Sequence, residues 1–239
     1  MFWLMDGGQA SLTEQGLWNM NGWAGPVFLG MVATYQVAII IRAILLWRNE
    51  GINPFVVGQT RTGIGRWLEA MFPWVGLIWT VDVVLVATDA PLRLFPWFLE
   101  RPLFESMVAE RIGLSLVGIS VLLFIAALVA FGNSWRIGID RENPGSLVTS
   151  GIFAYTRNPI FLSMDLILLG TFLVVPSTIY LIAMCLLFVA IHFQILEEEK
   201  FLRSEYGEVY EEYVRQTCRY LGRKRTMEVR VQEPTSMVS

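Results

Sequence analysis

One apolar run, residues 159–196, constrains the architecture more than any other feature of this chain. It is 38 residues long, whereas about 20 suffice for a helix rising about 1.5 Å per residue to cross a bilayer's hydrocarbon core. Pro176-Ser177 sits near its middle, where a proline removes a backbone hydrogen bond and favours a break. The run therefore reads as two antiparallel helices joined by a tight turn. Three earlier blocks have the length of single crossings. Residues 25–47 close on Arg42 and Arg48, residues 67–87 contain Asp82, and residues 112–131 are almost free of charge. The expectation is an all-α, polytopic integral membrane protein of about five transmembrane helices, the last two forming a C-terminal hairpin.

Composition supports that class. The chain is 54% hydrophobic and 16% charged, against about a quarter charged in soluble domains. A net charge of -3 gives no basis for binding nucleic acid. Cys185 and Cys218 are far apart, no Cys-x-x-Cys spacing occurs, and His192 is the only histidine. Metal centres and Ser-His-Asp chemistry are therefore not expected.

Basic residues set an orientation. With the N-terminus outside, Arg42, Arg48, Arg61, Arg66, Arg136, Arg141, Arg157 and the C-terminal tail lie inside. Arg93, Arg101 and Arg111 remain outside among Asp89, Glu100, Glu105 and Glu110, as the positive-inside rule requires. Residues 1–24 lack the basic start of a secretory signal and read as an interfacial segment with Trp3, Trp18 and Trp23 at headgroup level. Residues 25–131 hold the first three spans. Between the second and third, a loop broken by Pro91, Pro96 and Pro102 lies along the outer interface. Residues 132–221 form the core of interest, and 222–239 a flexible tail. Beyond the hairpin, Phe201, Leu202, Tyr206, Tyr210 and Tyr213 recur near helical spacing, which predicts a cytoplasmic amphipathic helix broken at Gly207.

A hairpin returns its ends to one side, so three polar clusters meet at the cytoplasmic edge. They are residues 133–140, residues 147–158, and His192, Gln194 and Glu197 to Glu199. Arg157-Asn158 should neighbour Glu197-Glu198.

The stretches Leu147-Val-Thr-Ser-Gly151, Arg157-Asn158-Pro159-Ile160-Phe161, Glu197-Glu198, Tyr206-Gly207, Tyr210 and Tyr213 resemble the isoprenylcysteine carboxyl methyltransferase family. That family belongs with the membrane phospholipid methyltransferases. Its pattern is LVTxGxYxxxRHPxYxG, a transmembrane hairpin, then EExxLxxxFGxxYxxY, and the likeness covers about residues 135–221. It implies S-adenosylmethionine as cofactor, held at the cytoplasmic face. It implies that Ser146, Leu147, Val148 and Phe153 enclose the adenosine, with Asn158, Pro159, Ile160 and Phe161 beside it. Glu197 or Glu198 would bind its polar end, and Arg157 or Arg136 would suit its carboxylate.

Departures from the pattern are informative. The family's histidine is Asn158 here, its following tyrosine Phe161 and its glycine Ser163. Asparagine cannot titrate near neutrality, so Asn158 reads as a binding group rather than a base. Where the eukaryotic prenylcysteine enzymes have a substrate-facing arginine, this chain has Gln194 or His192. Asn158, Gln194 and His192 are thus the candidates closest to the chemistry. The expected acceptor is lipophilic or small, a prenylcysteine carboxylate, a phospholipid amine or a thiol, reached laterally from the lipid bilayer. Asp82 and Asp165, carboxylates within apolar runs at about 3 kcal/mol each, leave a second reading open: a non-catalytic membrane module or a transporter with a polar path.

Overall fold

A computed structural model describes residues 22–50, 64–132 and 146–222. The expectations placed on Trp3, Trp18, Arg61, Arg136, Arg141, the cluster at 133–140 and the tail from 223 onward fall outside these residues. Among them, helices α1 (Ala24–Glu50), α2 (Ile64–Ala87), α3 (Trp97–Glu100), α4 (Met107–Phe131), α5 (Pro159–Val174) and α6 (Thr178–Gln216) follow in order. A 3-10 turn at Gly151–Ala154 precedes α5.

Four helices are long and apolar enough to cross a membrane, and α5 is a shorter apolar one of 16 residues. The hairpin breaks where the proline requires: α5 ends at Val174 and α6 starts at Thr178. α4 begins at Met107, five residues before the expected 112, because Ser106 caps it by accepting a hydrogen bond from the Ala109 amide at 3.2 Å. α6 is 39 residues long, about 58 Å by helical rise. Its apolar part ends at Leu196, so Glu197 and everything after it lie beyond the spanning segment.

α4 is the central helix. It packs most closely on α5, where Gly113 and Gly170 bring the two backbones together. A Cβ on Gly113 would lie 2.7 Å from the Gly170 carbonyl oxygen, and one on Gly170 2.8 Å from that of Gly113. Small residues at such crossings let membrane helices exploit close packing where no hydrophobic effect drives them together. Farther along the pair, Ser120 donates to the Ser163 carbonyl at 2.7 Å, and the Tyr35 and Ser163 hydroxyls are 3.1 Å apart. Tyr35 stacks on Phe124 with ring centroids 4.2 Å apart, tying α1 to α4. Gln36 donates to Thr80 at 2.6 Å, tying α1 to α2.

The expected break at Gly207 is present, with φ 51° and ψ -126° inside α6. That conformation is open to glycine and strained for L-residues. It redirects the last turns of α6 so that Tyr210 and Tyr213 return onto the segment before α5. Gly207→Ala is expected to destabilise the protein by about 1–3 kcal/mol, read by thermal unfolding in detergent; an unchanged midpoint would show that the turn is not strained by a side chain.

Candidate functional site

The segment from Leu147 to Asn158 is held from two sides. Phe153, Tyr210 and Tyr213 form a buried cluster with Leu147, Val148, Ile152 and Phe131 packed against it. The Tyr213 hydroxyl donates to the Phe153 carbonyl at 2.7 Å. Gly151, with φ 62°, permits the turn that places Phe153 inward. Asn158 precedes a proline and so avoids the helical region (φ -131°, ψ 55°), while Pro159 starts α5 where no amide is needed.

At its other end this segment meets a strap formed by residues 217–222. The Arg157 amide donates to the Cys218 carbonyl at 3.0 Å, and the Gly222 amide to the Tyr155 carbonyl at 2.7 Å. Arg157 Nη1 donates to the Thr217 carbonyl at 2.7 Å, and Asn158 Nδ2 to the Arg219 carbonyl at 3.2 Å.

All of this surrounds one carboxylate. Glu199 is 1% exposed. Its Oε1 accepts from Arg157 Nη2 at 2.8 Å, Arg219 Nε at 3.0 Å and Asn158 Nδ2 at 3.4 Å. Its Oε2 accepts from Arg219 Nη2 at 2.8 Å. Burial pushes the Glu199 carboxyl up, but the hydrogen bonds and charges of Arg219 and Arg157 outweigh it and bring its pKa down to about 2. Glu199 is therefore an anion hydrogen-bonded by two guanidinium groups, buried Arg157 and partly open Arg219, with a third, Arg203, 3.8 Å away. Beside it, the Tyr210 hydroxyl is buried with no hydrogen-bond partner, and burial, followed by the negative charge of Glu199, raises its pKa to about 12.

Leu147 to Phe153, the tight turn before the hairpin and Glu199 across it all lie within one stretch of the chain that matches a family model. Residues 108–209 match the phospholipid methyltransferase family model. No curated protein matches the chain. The matched stretch spans α4, α5 and α6 to just past Gly207. The last turns of α6 and the strap lie beyond the matched stretch.

Within the matched stretch, most of the sequence-derived candidates converge. Leu147, Val148 and Phe153 line the tail-helix side, and Arg157, Asn158 and Pro159 form the junction with Glu199. Ile160 and Phe161 are half-buried on the first turn of α5, with Ile160 against the main core. Ser146 is exposed. Glu197 is exposed and Glu198 half-buried; the glutamate that meets Arg157-Asn158 is their neighbour Glu199. The signal was a helical stripe, because Ile191, Ile195 and Glu199 repeat every four residues and all three are buried. Gln194 is 5% exposed, and His192 lies half-exposed with Nδ1 2.8 Å from the Tyr220 hydroxyl. Arg219 and Tyr220 had no counterpart in the sequence reading.

Asp82 and Asp165 do not share a region. Asp82, on α2, acts electrostatically on Tyr180 in the first turn of α6. Asp165 acts on Tyr220 in the strap, which bonds His192 twelve residues farther along α6, or about 18 Å by helical rise.

Proposed function

We propose that the protein transfers a methyl group from S-adenosylmethionine to a lipophilic or small acceptor at the cytoplasmic face of the membrane. The observation that carries this reading is the buried Glu199 joined to Arg157 and Asn158 beneath the Leu147–Phe153 wall, inside the stretch that matches the phospholipid methyltransferase family model.

These residues fit the donor's chemistry. Glu199 is a fixed anion for the donor's ammonium group, and Arg157 a fixed cation for its carboxylate. Leu147, Val148 and Phe153 offer an apolar surface for the adenosine, and the unpartnered Tyr210 hydroxyl offers a hydrogen bond at the same wall. Arg219, the more exposed partner of Glu199, is the group that yields its place to an incoming cation, while buried Arg157 stays. S-adenosylmethionine supplies an electrophilic methyl carbon on a sulfonium; what this chain adds is orientation, desolvation and a fixed charge pattern.

Access for the acceptor follows from the short α5. Sixteen residues rise about 24 Å, less than the ~30 Å of hydrocarbon, so at least one end of α5 sits inside the apolar layer, where a lipid-soluble acceptor can arrive sideways. The arginines at the site's end of the helices, Arg42, Arg48, Arg157 and Arg219, support a cytoplasmic position for that end under the positive-inside rule.

Titration calorimetry of the full chain in detergent with S-adenosylhomocysteine tests the donor site. One-to-one binding is expected, weakened about tenfold or more in Asn158→Ala, which removes the side chain's bonds to Glu199 and to the Arg219 carbonyl. A folded chain that binds neither the donor nor its demethylated product overturns the reading.

A further inference from the structure

A second polar layer lies two helical turns deeper than the Glu199 junction. Asn158 and Glu199 meet across the antiparallel pair of α5 and α6. Seven residues farther into the membrane on each helix stand Asp165 and His192. Seven residues are close to two turns and about 10 Å of rise, so both keep the azimuth of the residue above them and reach the same depth. The strap supplies a third group at that level. Tyr220 follows Arg219 and drops from the Glu199 junction onto His192, with 2.8 Å between its hydroxyl and Nδ1 and the two rings stacked at 16°. Burial raises the Tyr220 hydroxyl first, and the negative charge of Asp165 raises it further, so Asp165 and Tyr220 share one electrostatic neighbourhood. Asp165 Oδ1 is buried and has no hydrogen-bond partner. A lone acceptor atom at membrane depth is costly to keep unless something donates to it.

We propose that Asp165, His192 and Tyr220 form the acceptor end of the site, built for a nucleophile that carries a proton, an amine or thiol head on an apolar chain, and not for a carboxylate. This rests on the donor reading above. Asp165 Oδ1 accepts the N–H that an amine head keeps through the transfer, or stands beside a thiol head, and the same charge repels a carboxylate. With Nδ1–H donating to the Tyr220 oxygen, His192 keeps the Nε2 lone pair free. In the transfer step the acceptor's lone pair forms a bond to the methyl carbon, and the sulfur–carbon bond breaks with its electron pair going to sulfur. The acceptor's proton passes to Nε2 of His192. The group that faces that imidazole directly is Tyr220 from the strap; the charged groups on its azimuth along the helix and across the pair are Glu199 two turns up α6 and Asp165 at the same depth on α5. Tyr220 is a positioning residue, fixing the tautomer of His192.

His192 is the only histidine in the chain, so ring-15N-histidine labelling gives one reporter. The full chain in detergent micelles with S-adenosylhomocysteine is titrated with decylamine, decanethiol and decanoate, and turnover is measured with the methyl donor and each probe. A free Nε2 with protonated Nδ1 is expected in the native chain and lost in Tyr220→Phe. Decylamine or decanethiol, but not decanoate, is expected to move the ring signals and to be methylated. His192→Gln is expected to lower turnover 100-fold or more with donor-product binding unchanged. Preferential methylation of decanoate, an Nε2–H ring in the native chain, ring signals that no probe moves, or full turnover by His192→Gln each overturns the proposal. Methylation of none of the three probes by a chain that binds S-adenosylhomocysteine overturns it too. Failure to bind S-adenosylhomocysteine fells the donor reading instead, and the tautomer measurement still judges the layer on its own.

Discussion

Glu199→Ala is expected to be the most damaging single substitution at the site, lowering stability by about 3–5 kcal/mol and abolishing binding of S-adenosylhomocysteine. The magnitude follows from what is left behind. Arg157 is buried and its Nη2 has Glu199 as its partner at 2.8 Å; removing one member of a buried ion pair strands the other charge, and that costs about 3–5 kcal/mol. Arg219 can turn to solvent and contributes less. Glu199→Gln keeps the shape and an acceptor oxygen, so it should lose less stability yet still lose the anion that the donor's ammonium requires. Comparing the two by thermal unfolding and calorimetry separates the structural role from the binding role. Equal stability of Glu199→Ala and the native chain would show that the junction carries no folding energy.

Acid exposes the same group. The folded-state pKa of Glu199 is depressed from an ordinary 4.5 to about 2, so its stabilisation is complete above about pH 4.5 and lost as the pH falls from there toward 2. The native chain should lose stability through that window more steeply than Glu199→Gln, measured by unfolding midpoints across pH.

The second large effect is expected at the α4–α5 crossing. In Gly170→Val, the Cβ alone would fall 2.8 Å from the Gly113 carbonyl oxygen, 2.8 Å from Val117 Cγ2 and 3.0 Å from the Val117 amide. Two of those neighbours are backbone and cannot turn away, so the helices must separate. Overpacking of this kind costs about 1–3 kcal/mol, and separation also strains the 2.7 Å bond from Ser120 to the Ser163 carbonyl. Because α5 carries Asn158 at its N-terminal end, donor binding should weaken as well. Gly113→Ala meets the same backbone from the other side. The double variant should therefore cost less than the two singles together, since the first already opens the gap. Additive losses would point to two unrelated sites of damage.

Much of this arrangement is readable from the chain because membrane burial leaves few options. A 38-residue apolar run with Pro176 in its middle has one economical solution, and the hairpin takes it. The convergence of Leu147–Phe153 with Tyr210 and Tyr213 follows from helical spacing and the glycine at 207. The choice among three consecutive glutamates was harder. Glu197, Glu198 and Glu199 differ only in azimuth, and Glu199 wins because it continues the buried stripe of Ile191 and Ile195. The strap was not readable. Its bonds to 155–158 are mainly backbone contacts across some 60 residues of chain, and carbonyls leave no mark in side-chain periodicity. Arg219 looks like any tail arginine until its partner is known.

The strap also bears on how the protein matures. Chains are made from the N-terminus onward, so α5 and its Arg157 enter the membrane before Glu199 exists, and Glu199 before Arg219. The junction is assembled in three instalments, and the first leaves Arg157 an unmatched charge until Glu199 arrives. Membrane insertion and competence to bind are thus separate events in the life of each molecule, and the second waits for residues 217–222 to fold back.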